Sequence, residues 1–211
     1  LQATPTLEVT PEDTGLFTDP PEATDEGDGF VRYTWSTTIA GLADGEVTVA
    51  VHLVDAVGNA SDGAACSRAA LLDQTLPLIE ESVITTEPAL VDADGTPVLA
   101  ATKGAVVIVD FEVVEAGGVE GLAEPPTVEI VSFAPLTMDA PTGTPVDGEP
   151  ARVRYTTSLT LDPEAHAELE GAWKIGLKVE DLAGNLATAH AADGELLVID
   201  FTAPTLVGTP F

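Results

Sequence analysis

GEVTVAVHLVDAVGN, at residues 45–59, returns further along the chain as GAWKIGLKVEDLAGN, at residues 171–185. In both occurrences apolar residues alternate with polar or small ones, and this period of two places successive side chains on opposite faces of a β-strand. The second occurrence has large apolar side chains on one face and lysine, glycine and glutamate on the other. We therefore predict strands in an antiparallel sheet that is buried on one face and wet on the other.

Each predicted strand runs directly into the pattern Asp-x-x-Gly-Asn. Aspartate can accept hydrogen bonds from the backbone N–H groups just ahead of it, and glycine and asparagine tolerate positive φ. This chemistry predicts a tight turn after each strand rather than an active site. The residues that form the two turns are Asp55, Gly58 and Asn59 in the first occurrence and Asp181, Gly184 and Asn185 in the second.

The composition of the 211-residue chain indicates a β-rich fold. Its 16 prolines and 19 glycines punctuate short β-branched runs, which is typical of all-β domains with many turns. Hydrophobic residues make up 45% of the chain, enough to build a buried core. The fold class that we predict is all-β, in one or two domains.

The charge is strongly acidic, with 36 aspartates and glutamates against 7 lysines and arginines and a formal net charge of −29. Such a surface repels phosphate backbones and anionic membranes, so nucleic acid is excluded as a partner. The sequence has no run of about 20 apolar residues for direct membrane insertion. Two interpretations of the charge stay open: an acidic surface that keeps the protein in solution, or carboxylates that gather divalent cations.

The repeat extends beyond these two strands. Two further stretches recur in the same order, and the register shifts between them fall in predicted loops, as insertions do. The matched pairs are PTLEV at residues 5–9 with PTVEI at 126–130, and FVRYT at 30–34 with RVRYT at 152–156.

The repeat also predicts the domain boundaries. Predicted strands near residues 78–84 and 107–113 have no counterpart in the first half of the chain. Three explanations stay open: a chain that was cut inside a domain, a naturally short domain, or strands supplied by another chain. The expected segments are an Ig-like domain at 1–76 that lacks its first strands, a complete Ig-like domain at 77–203, and the start of a further repeat or a C-terminal tail at 204–211.

Several short motifs recur in the same order in both halves. A Tyr-Thr pair precedes the repeated strand, Asp-x-x-Gly-Asn follows it, and Asp-x-Thr-x-Pro stands at the boundary. This combination resembles the bacterial Ig-like repeats, the Big-type tandem repeats of large secreted and cell-surface proteins. Besides the two turns, the residues that carry the resemblance are Tyr33 and Tyr155, Asp73, Thr75 and Pro77, Asp200, Thr202 and Pro204, and Lys103 and Gly104.

The resemblance covers the second domain well and the first only in its latter half. It implies tandem immunoglobulin-like β-sandwiches, for which the fibronectin type III sandwich is a close alternative. It also implies an extracellular or cell-surface location in a bacterium, with neighbouring repeats as partners. Function does not follow from the resemblance, because such modules serve as spacers, adhesin stalks and enzyme accessories alike.

No motif in the sequence predicts catalysis. Asp13-Thr14-Gly15 resembles an aspartic-protease triplet, but no second triplet supplies the partner carboxylate. The three histidines do not stand at metal-ligand spacing, and no nucleophile elbow is present. We therefore predict that the chain is not an enzyme and that, calcium aside, it carries no cofactor.

Three residues that could take part in chemistry or binding are assigned to the core instead. The single cysteine, Cys66, is expected to be a small buried residue. Trp35 and Trp173 would offer a platform for a sugar if they were exposed. Each is in phase with apolar neighbours on its strand, so the pattern favours burial.

Calcium is the one ligand that the carboxylates suggest. The turn after Glu180 is expected at the end of the second sandwich where the chain enters, and the last strand of the first domain ends there too. Carboxylates would then converge with the loop at 115–124, and a calcium ion would neutralise them. The alternative is that the aspartates simply accept hydrogen bonds from turn amides. The candidate ligands are Asp73, Asp181, Glu115 and Glu120.

These expectations favour a non-enzymatic structural spacer or stalk in an adhesin-like array of repeats. Its partners would be neighbouring repeats of the same chain and other copies of the chain. Two alternatives stay open. One is a filament or binding module whose incomplete first domain is completed by a strand from a neighbouring chain. The other is a set of accessory domains of a larger secreted enzyme.

Overall fold

The structure of this chain is a computed structural model that divides into two compact units. Unit one covers residues 1–75 and unit two covers residues 76–211. The triplet Asp13-Thr14-Gly15 and the predicted segment at 204–211 lie outside the described residues. The described residues are 4–11, 16–38, 43–61, 66–116 and 118–203.

Unit one consists of short antiparallel strands in its described part. They are β1 (Thr6–Thr10), β2 (Glu22–Gly27), β3 (Phe30–Thr34), β4 (Gly45–His52) and β5 (Ser67–Leu72). Strands β1 and β5 pair with the two edges of β4, which gives a three-stranded sheet in the order β1-β4-β5. Strands β2 and β3 form a separate hairpin.

Unit two is larger, and its strands vary from two to twelve residues in length. Three short 3₁₀ segments, at Gly118–Gly121, Ala167–Leu169 and Ala191–Gly194, lie between them. The strands are β6 (Leu78–Glu87), β7 (Leu90–Val91), β8 (Pro97–Val98), β9 (Ala100–Ala101), β10 (Val106–Val114), β11 (Thr127–Val131), β12 (Leu136–Thr137), β13 (Thr142–Val146), β14 (Glu149–Thr160), β15 (Gly171–Glu180), β16 (Leu186–His190) and β17 (Leu197–Ile199).

These strands form two main sheets and the small hairpin β7–β8. One sheet has the order β13-β14-β10-β6, and the other has the order β12-β11-β15-β17-β9, with β16 also paired to β15. All neighbours are antiparallel except β17 and β9, which run parallel. The prediction of an all-β fold built from antiparallel sheets is therefore confirmed.

The two main sheets of unit two share one hydrophobic core. Strand β10, central in one sheet, and β15, central in the other, each bury alternate residues, because a period of two turns every second side chain to the same face. The buried side chains on these two strands are Val107, Val109, Phe111 and Val113 of β10, and Ile175, Leu177 and Val179 of β15.

Strand β4 of unit one has the same alternation, but little of it is buried. Val47 is buried, whereas Val49 and Val51 are half-buried. The described residues of unit one contain no strands that correspond to β6 and β10 of unit two. A sheet face becomes a core only where a second layer covers it, so the alternating pattern alone overstates burial in unit one.

The pairing within unit two places the start of its first strand and the end of its last described strand at opposite ends of β10. Leu78, the first residue of β6, pairs with Val114 at the end of β10. At the other side, the backbone N–H of Asp200 donates to the carbonyl of Ala101 at 3.0 Å, shortly before β10 begins at Val106. The nine residues of β10 therefore lie between Leu78 and Asp200.

Candidate functional site

The side chain of Asp181 organises the turn that follows β15. Its Oδ1 accepts hydrogen bonds from the backbone N–H groups of Ala183 and Asn185, both at 2.8 Å. Its Oδ2 accepts a third hydrogen bond from Nδ2 of Asn185 at 2.7 Å. Gly184 has a φ of 88°, where any side chain would be strained. Asp181 is 1% exposed, so this carboxylate is buried, whereas Ala183 is exposed and Asn185 is half-buried.

The equivalent turn after β4 has the same hydrogen bonds around Asp55. Its Oδ1 accepts from the N–H of Val57 at 2.9 Å and of Asn59 at 2.8 Å, and its Oδ2 accepts from Nδ2 of Asn59 at 2.7 Å. The hydrogen bonds from Asn59 hold the pKa of Asp55 below its ordinary value. Gly58, at a φ of 93°, takes the place of Gly184. Asp55 differs from Asp181 in being only half-buried.

A third turn of this kind lies between β7 and β8, where the sequence Asp92-Ala93-Asp94-Gly95 is typical of an Asp-Gly hairpin turn. The Oδ1 of Asp92 accepts from the N–H groups of Asp94 and Thr96, both at 2.9 Å. Gly95 supplies the positive φ, at 82°. Threonine stands where the other turns have asparagine, so this turn has the two backbone hydrogen bonds to Oδ1 and no side-chain amide. The three turns show that this motif is a structural element of the sheets.

The Asp-x-Thr sequence at the end of unit one ties the chain to the residue before β4. The Oδ1 of Asp73 accepts a hydrogen bond from the N–H of Thr75 at 3.1 Å. The hydroxyl of Thr75 donates to Oδ2 of Asp44, and the N–H of Gln74 donates to Oδ1 of Asp44 at 2.7 Å. These bonds, the one from the Thr75 hydroxyl first, hold the pKa of Asp44 below its ordinary value.

The end of unit two repeats this arrangement. The Oδ1 of Asp200 accepts a hydrogen bond from the N–H of Thr202 at 2.8 Å. The hydroxyl of Thr202 donates to Oε1 of Glu170, which precedes β15 as Asp44 precedes β4. The Asp-x-Thr motif is thus a strand-end lock, in which one carboxylate accepts from the threonine amide and another accepts from its hydroxyl.

The four calcium candidates lie in different settings. In unit two, the loop with Glu115 and Glu120 lies against the Asp181 turn, because the N–H of Leu182 donates to the carbonyl of Gly121 at 2.9 Å. Glu115 is buried and Glu120 is exposed. The fourth candidate, Asp73, belongs to unit one, where it takes part in the strand-end lock.

Turn hydrogen bonding accounts for the positions of Asp73 and Asp181 without a cation. The carboxylate of Asp181 already accepts three hydrogen bonds, and two carboxylate oxygens offer about four acceptor positions. Within the described ranges, no group of three or more histidine, cysteine, aspartate or glutamate side chains lies where it could hold a metal ion. Calcium binding stays a prediction.

The outer face of the sheet around β10 carries an ion-pair network that the sequence analysis did not find. Oε1 of Glu112 accepts from Nε of Arg154, and Oε2 of Glu112 accepts from Nη1 of Arg152, both at 2.9 Å. Arg152 also contacts Glu80 and Glu149, each at 2.8 Å. The side chain of Glu112 is 4% exposed, although it lies on the face opposite the core. We call these five residues the Glu112 network.

Strand register explains the Glu112 network. Glu112 lies opposite Arg154 in the β10–β14 pair and opposite Glu80 in the β10–β6 pair. Arg152 is two residues from Arg154 on the same face of β14, so both guanidinium groups reach one carboxylate. The signal in the sequence is the Arg-x-Arg pattern in a chain with only 7 lysines and arginines. Its partner became identifiable only when β10 and β14 were paired.

The carboxylate of Glu112 is ionised at neutral pH. Hydrogen bonds from Arg152 and then Arg154 hold the pKa of Glu112 below its ordinary value. The same hydrogen bonds, which the two arginines donate to Glu112, raise the pKa of Arg152 and of Arg154. A carboxylate that is ionised and bonded to two guanidinium groups is a poor proton donor or acceptor, so the network stabilises the sheet and is not suited to acid–base catalysis.

A cross-strand contact between a basic side chain and a glutamate recurs at equivalent positions in the two units. In unit one, Nε2 of His52 lies 2.7 Å from Oε2 of Glu8. In unit two, Nζ of Lys178 lies 3.0 Å from Oε2 of Glu129. The strand registers agree as well, because Thr6 pairs with His52 just as Thr127 pairs with Lys178. His52 is therefore a pairing residue of the sheet.

All three of these assignments to the core need correction. The burial predicted for Cys66 is wrong: the thiol is exposed, immediately before β5, where no second layer covers the described part of unit one. Trp35 and Trp173 are half-buried rather than buried. Nε1 of Trp173 donates to the carbonyl of Leu169 at 2.6 Å, and the ring meets the edge of exposed Phe133 with centroids 5.7 Å apart. Trp173 is thus fixed in place at the rim of the core.

No protein-family model and no curated protein matches this chain. None of the helical segments in the described residues is long and apolar enough to cross a membrane. The class of protein that the observations define is an all-β protein of two units, with strand pairs, turns and strand-end locks that recur in both.

Proposed function

We propose that this chain is a non-enzymatic structural spacer, a segment of an array of Ig-like repeats in a large extracellular or cell-surface bacterial protein. The Big-type repeats that the sequence resembles serve in such arrays. The recurrence of the β1–β4 and β11–β15 registers, with a basic side chain against a glutamate at equivalent positions, supports a module that is repeated along the chain.

The observation that carries the proposal is that the first strand and the last described strand of unit two lie at opposite ends of β10. Strand β6 begins at Leu78, beside the end of β10, and β17 is followed by Asp200, near the start of β10. A strand of this length spans roughly 25–30 Å. A unit whose ends lie at opposite poles adds that length to the distance spanned by the chain, which is what a spacer requires.

The last strand of unit two is also paired in a way that resists tension. Strand β17 runs parallel to β9, and the N–H groups of Val198 and Asp200 donate to the carbonyls of Leu99 and Ala101, both at 3.0 Å. Tension on the C-terminal end pulls β17 along its own axis. The hydrogen bonds of a pair that is pulled along its axis bear the load together in shear, whereas those of a hairpin that is peeled apart break one at a time.

Single-molecule force spectroscopy on the full chain, with handles at its two termini, tests the proposal. We expect unit two to unfold in one event that lengthens the chain by roughly 400 Å, from about 3.5 Å per extended residue less the folded span. Val198→Pro, which deletes the N–H that bonds to Leu99, should lower the unfolding force. Val131→Ala, on an exposed position of β11, is the matched control and should leave the force unchanged.

Gradual unfolding of unit two at low force would contradict a spacer under tension, and so would an unfolding force that Val198→Pro leaves unaltered. Force spectroscopy reports only on mechanical resistance. A catalytic or ligand-binding function would have to be measured by an activity or a binding assay, so the two kinds of function are distinguishable.

A further inference from the structure

We infer that the edge of β3 that has no partner among the described residues of unit one is a strand-accepting edge, built for a two-stranded β segment of the β6–β10 type. The inference concerns an interaction surface, and it does not depend on the spacer function. It follows from a comparison of β3 with β14, the strand that occupies the equivalent place in unit two.

Strands β3 and β14 are equivalent in sequence and in pairing on one side. FVRYT in β3 matches RVRYT in β14. Tyr33 pairs with Ala23 of β2, and Tyr155 pairs with Gly143 of β13, so each strand has its hairpin partner on the same side. The other edge of β14 is covered by β10 along its length. Within the described residues, β3 has no partner on that edge.

The apolar side chains of β3 match residues that are buried in β14, but in β3 they are exposed or half-buried. Val153 is 2% exposed in β14, whereas Val31 at the equivalent position is 50% exposed. Tyr155 is buried, and its ring stacks on Phe111 with centroids 5.6 Å apart, whereas Tyr33 is only half-buried. An uncovered strand edge with apolar side chains is a template for pairing with another strand.

The charge on β3 defines the partner further. In β14, Arg154 lies opposite Glu112 of β10 and bonds to it. In β3, the equivalent Arg32 bonds to Glu26 of its own hairpin at 2.8 Å, with 69% of its side chain exposed. An ion pair this exposed contributes little, so Arg32 can exchange Glu26 for a carboxylate on an incoming strand.

These contacts specify the occupant by its chemistry. It is a strand in which a phenylalanine, a glutamate and a valine face Tyr33, Arg32 and Val31, as Phe111, Glu112 and Val113 face β14. A second strand, in the place of β6, pairs with the outer edge of this incoming strand. Main-chain hydrogen bonds would supply affinity, and the aromatic and charged contacts would set the register.

A second copy of this chain is a poor source of that strand. Its β10 is already paired on both edges, by β6 and by β14, and it lies in the centre of a sheet with its inner face in the core. Release of β10 would require unit two to unfold. The occupant is therefore a separate β6–β10-type segment, and dimerisation of the chain is an outcome that the test must detect.

The test supplies the segment in the chain order of unit two. A copy of residues 77–124 is placed directly before Thr4 of the full chain. The copied β10 then precedes β1 in the sequence as β10 precedes β11. Amide hydrogen exchange of β3 is then compared with and without the addition, with β14 of the same molecule as an internal reference for folding. We expect exchange at the β3 amides to slow by about tenfold or more, toward that of β14.

A charge swap tests the register independently of simple hydrophobic coverage. Glu112→Arg in the copied segment, with the original Glu112 kept, should abolish most of the added protection, because it places two like charges opposite each other. Arg32→Glu in the same molecule should restore it. Arg68→Glu, on the exposed part of β5, is the matched control and should restore nothing.

Four results would overturn the inference. The unextended chain could already protect β3 as strongly as β14, or the extension could leave β3 exchange unchanged. The charge swap could have no effect on protection. Sedimentation could show that the unextended chain dimerises and that Arg32→Glu abolishes the dimer, in which case the occupant of this edge is a second copy.

Discussion

Unit one and unit two contain the same central strand pair, the same turn and the same strand-end lock, but they differ in how much of the pair is buried. Val9 pairs with Val49 in unit one as Ile130 pairs with Ile175 in unit two. Ile175 is fully buried, whereas Val49 is half-buried. Short-range patterns therefore set the strand faces and the turns, whereas burial requires the opposing sheet that β6, β10 and β14 supply in unit two.

The same contrast holds for the arginines. Arg154 bonds to a nearly buried glutamate on a neighbouring strand, and the equivalent Arg32 bonds to an exposed glutamate of its own hairpin. The residue type is shared, but its contribution to stability depends on whether another strand brings a partner and excludes water.

The largest expected effect is in the core. Ile175→Ala should lower the free energy of unfolding of unit two by roughly 2–5 kcal/mol, because it removes a fully buried side chain and leaves a cavity. Val49→Ala, at the equivalent place in unit one, should lower the stability of unit one by about 1 kcal/mol or less, because the side chain is already partly hydrated. Urea titrations followed on the amide signals of each unit measure both changes. Equal losses of unfolding free energy in the two units would contradict the inference that the units differ in burial.

The next effect is in the turns. Asp181→Ala should destabilise unit two by roughly 1–3 kcal/mol, because it removes three hydrogen bonds to a carboxylate that is almost fully buried. Asp55→Ala removes the same three bonds in unit one, but water can reach the half-buried turn, so the loss should be smaller. Denaturant unfolding with hydrogen exchange at the turn amides compares the two. A loss at Asp55 as large as that at Asp181 would show that burial is not what separates the units.

The smallest effect at neutral pH, and the one that depends on pH, is expected in the Glu112 network. Glu112→Gln keeps the shape and one acceptor oxygen, so it should lower the melting temperature of unit two only moderately. The pKa of Glu112 is depressed in the folded state. Its contribution is therefore fully present above the unfolded pKa of about 4.3 and is lost as the pH falls through the lower folded pKa.

The difference in melting temperature between Glu112→Gln and the unchanged chain should accordingly shrink as the pH falls below about 4, and it should vanish only below the depressed pKa of folded Glu112. The comparison of the two chains at each pH is essential, because protonation of the other carboxylates relieves repulsion in both. Glu26→Gln, which removes the exposed partner of Arg32, should have no measurable effect at any pH. A difference at Glu112 that does not shrink as the pH is lowered from about 7 to about 3 would contradict the ion-pair account.

Much of the sheet structure was predictable from the sequence because it rests on short-range rules. Alternation in residues 171–180 identifies the buried face of β15, and Asp-x-x-Gly-Asn predicts a turn through the geometry of aspartate and glycine. Glu112 was not predictable in the same way. Its partners stand 40 and 42 residues further along the chain, and only the register of β10 against β14 brings them together.

For Cys66 and Trp35, the sequence predicts burial that the structure does not show. Their local pattern is that of core residues, yet one is exposed and the other half-buried. Burial is a property of what packs against a strand, and no local pattern in unit one reports whether a second layer is present.

The sequence by itself determined that the chain is all-β, where its repeated turns lie, and which faces of β10 and β15 are apolar, because these depend on neighbours within a few residues. The tertiary structure decided which apolar faces become a core, which acidic side chain is buried between two arginines, and which edge of β3 is left without a described partner. Those outcomes depend on strands far apart in the chain, and pairing between distant strands carries no signal at either strand alone.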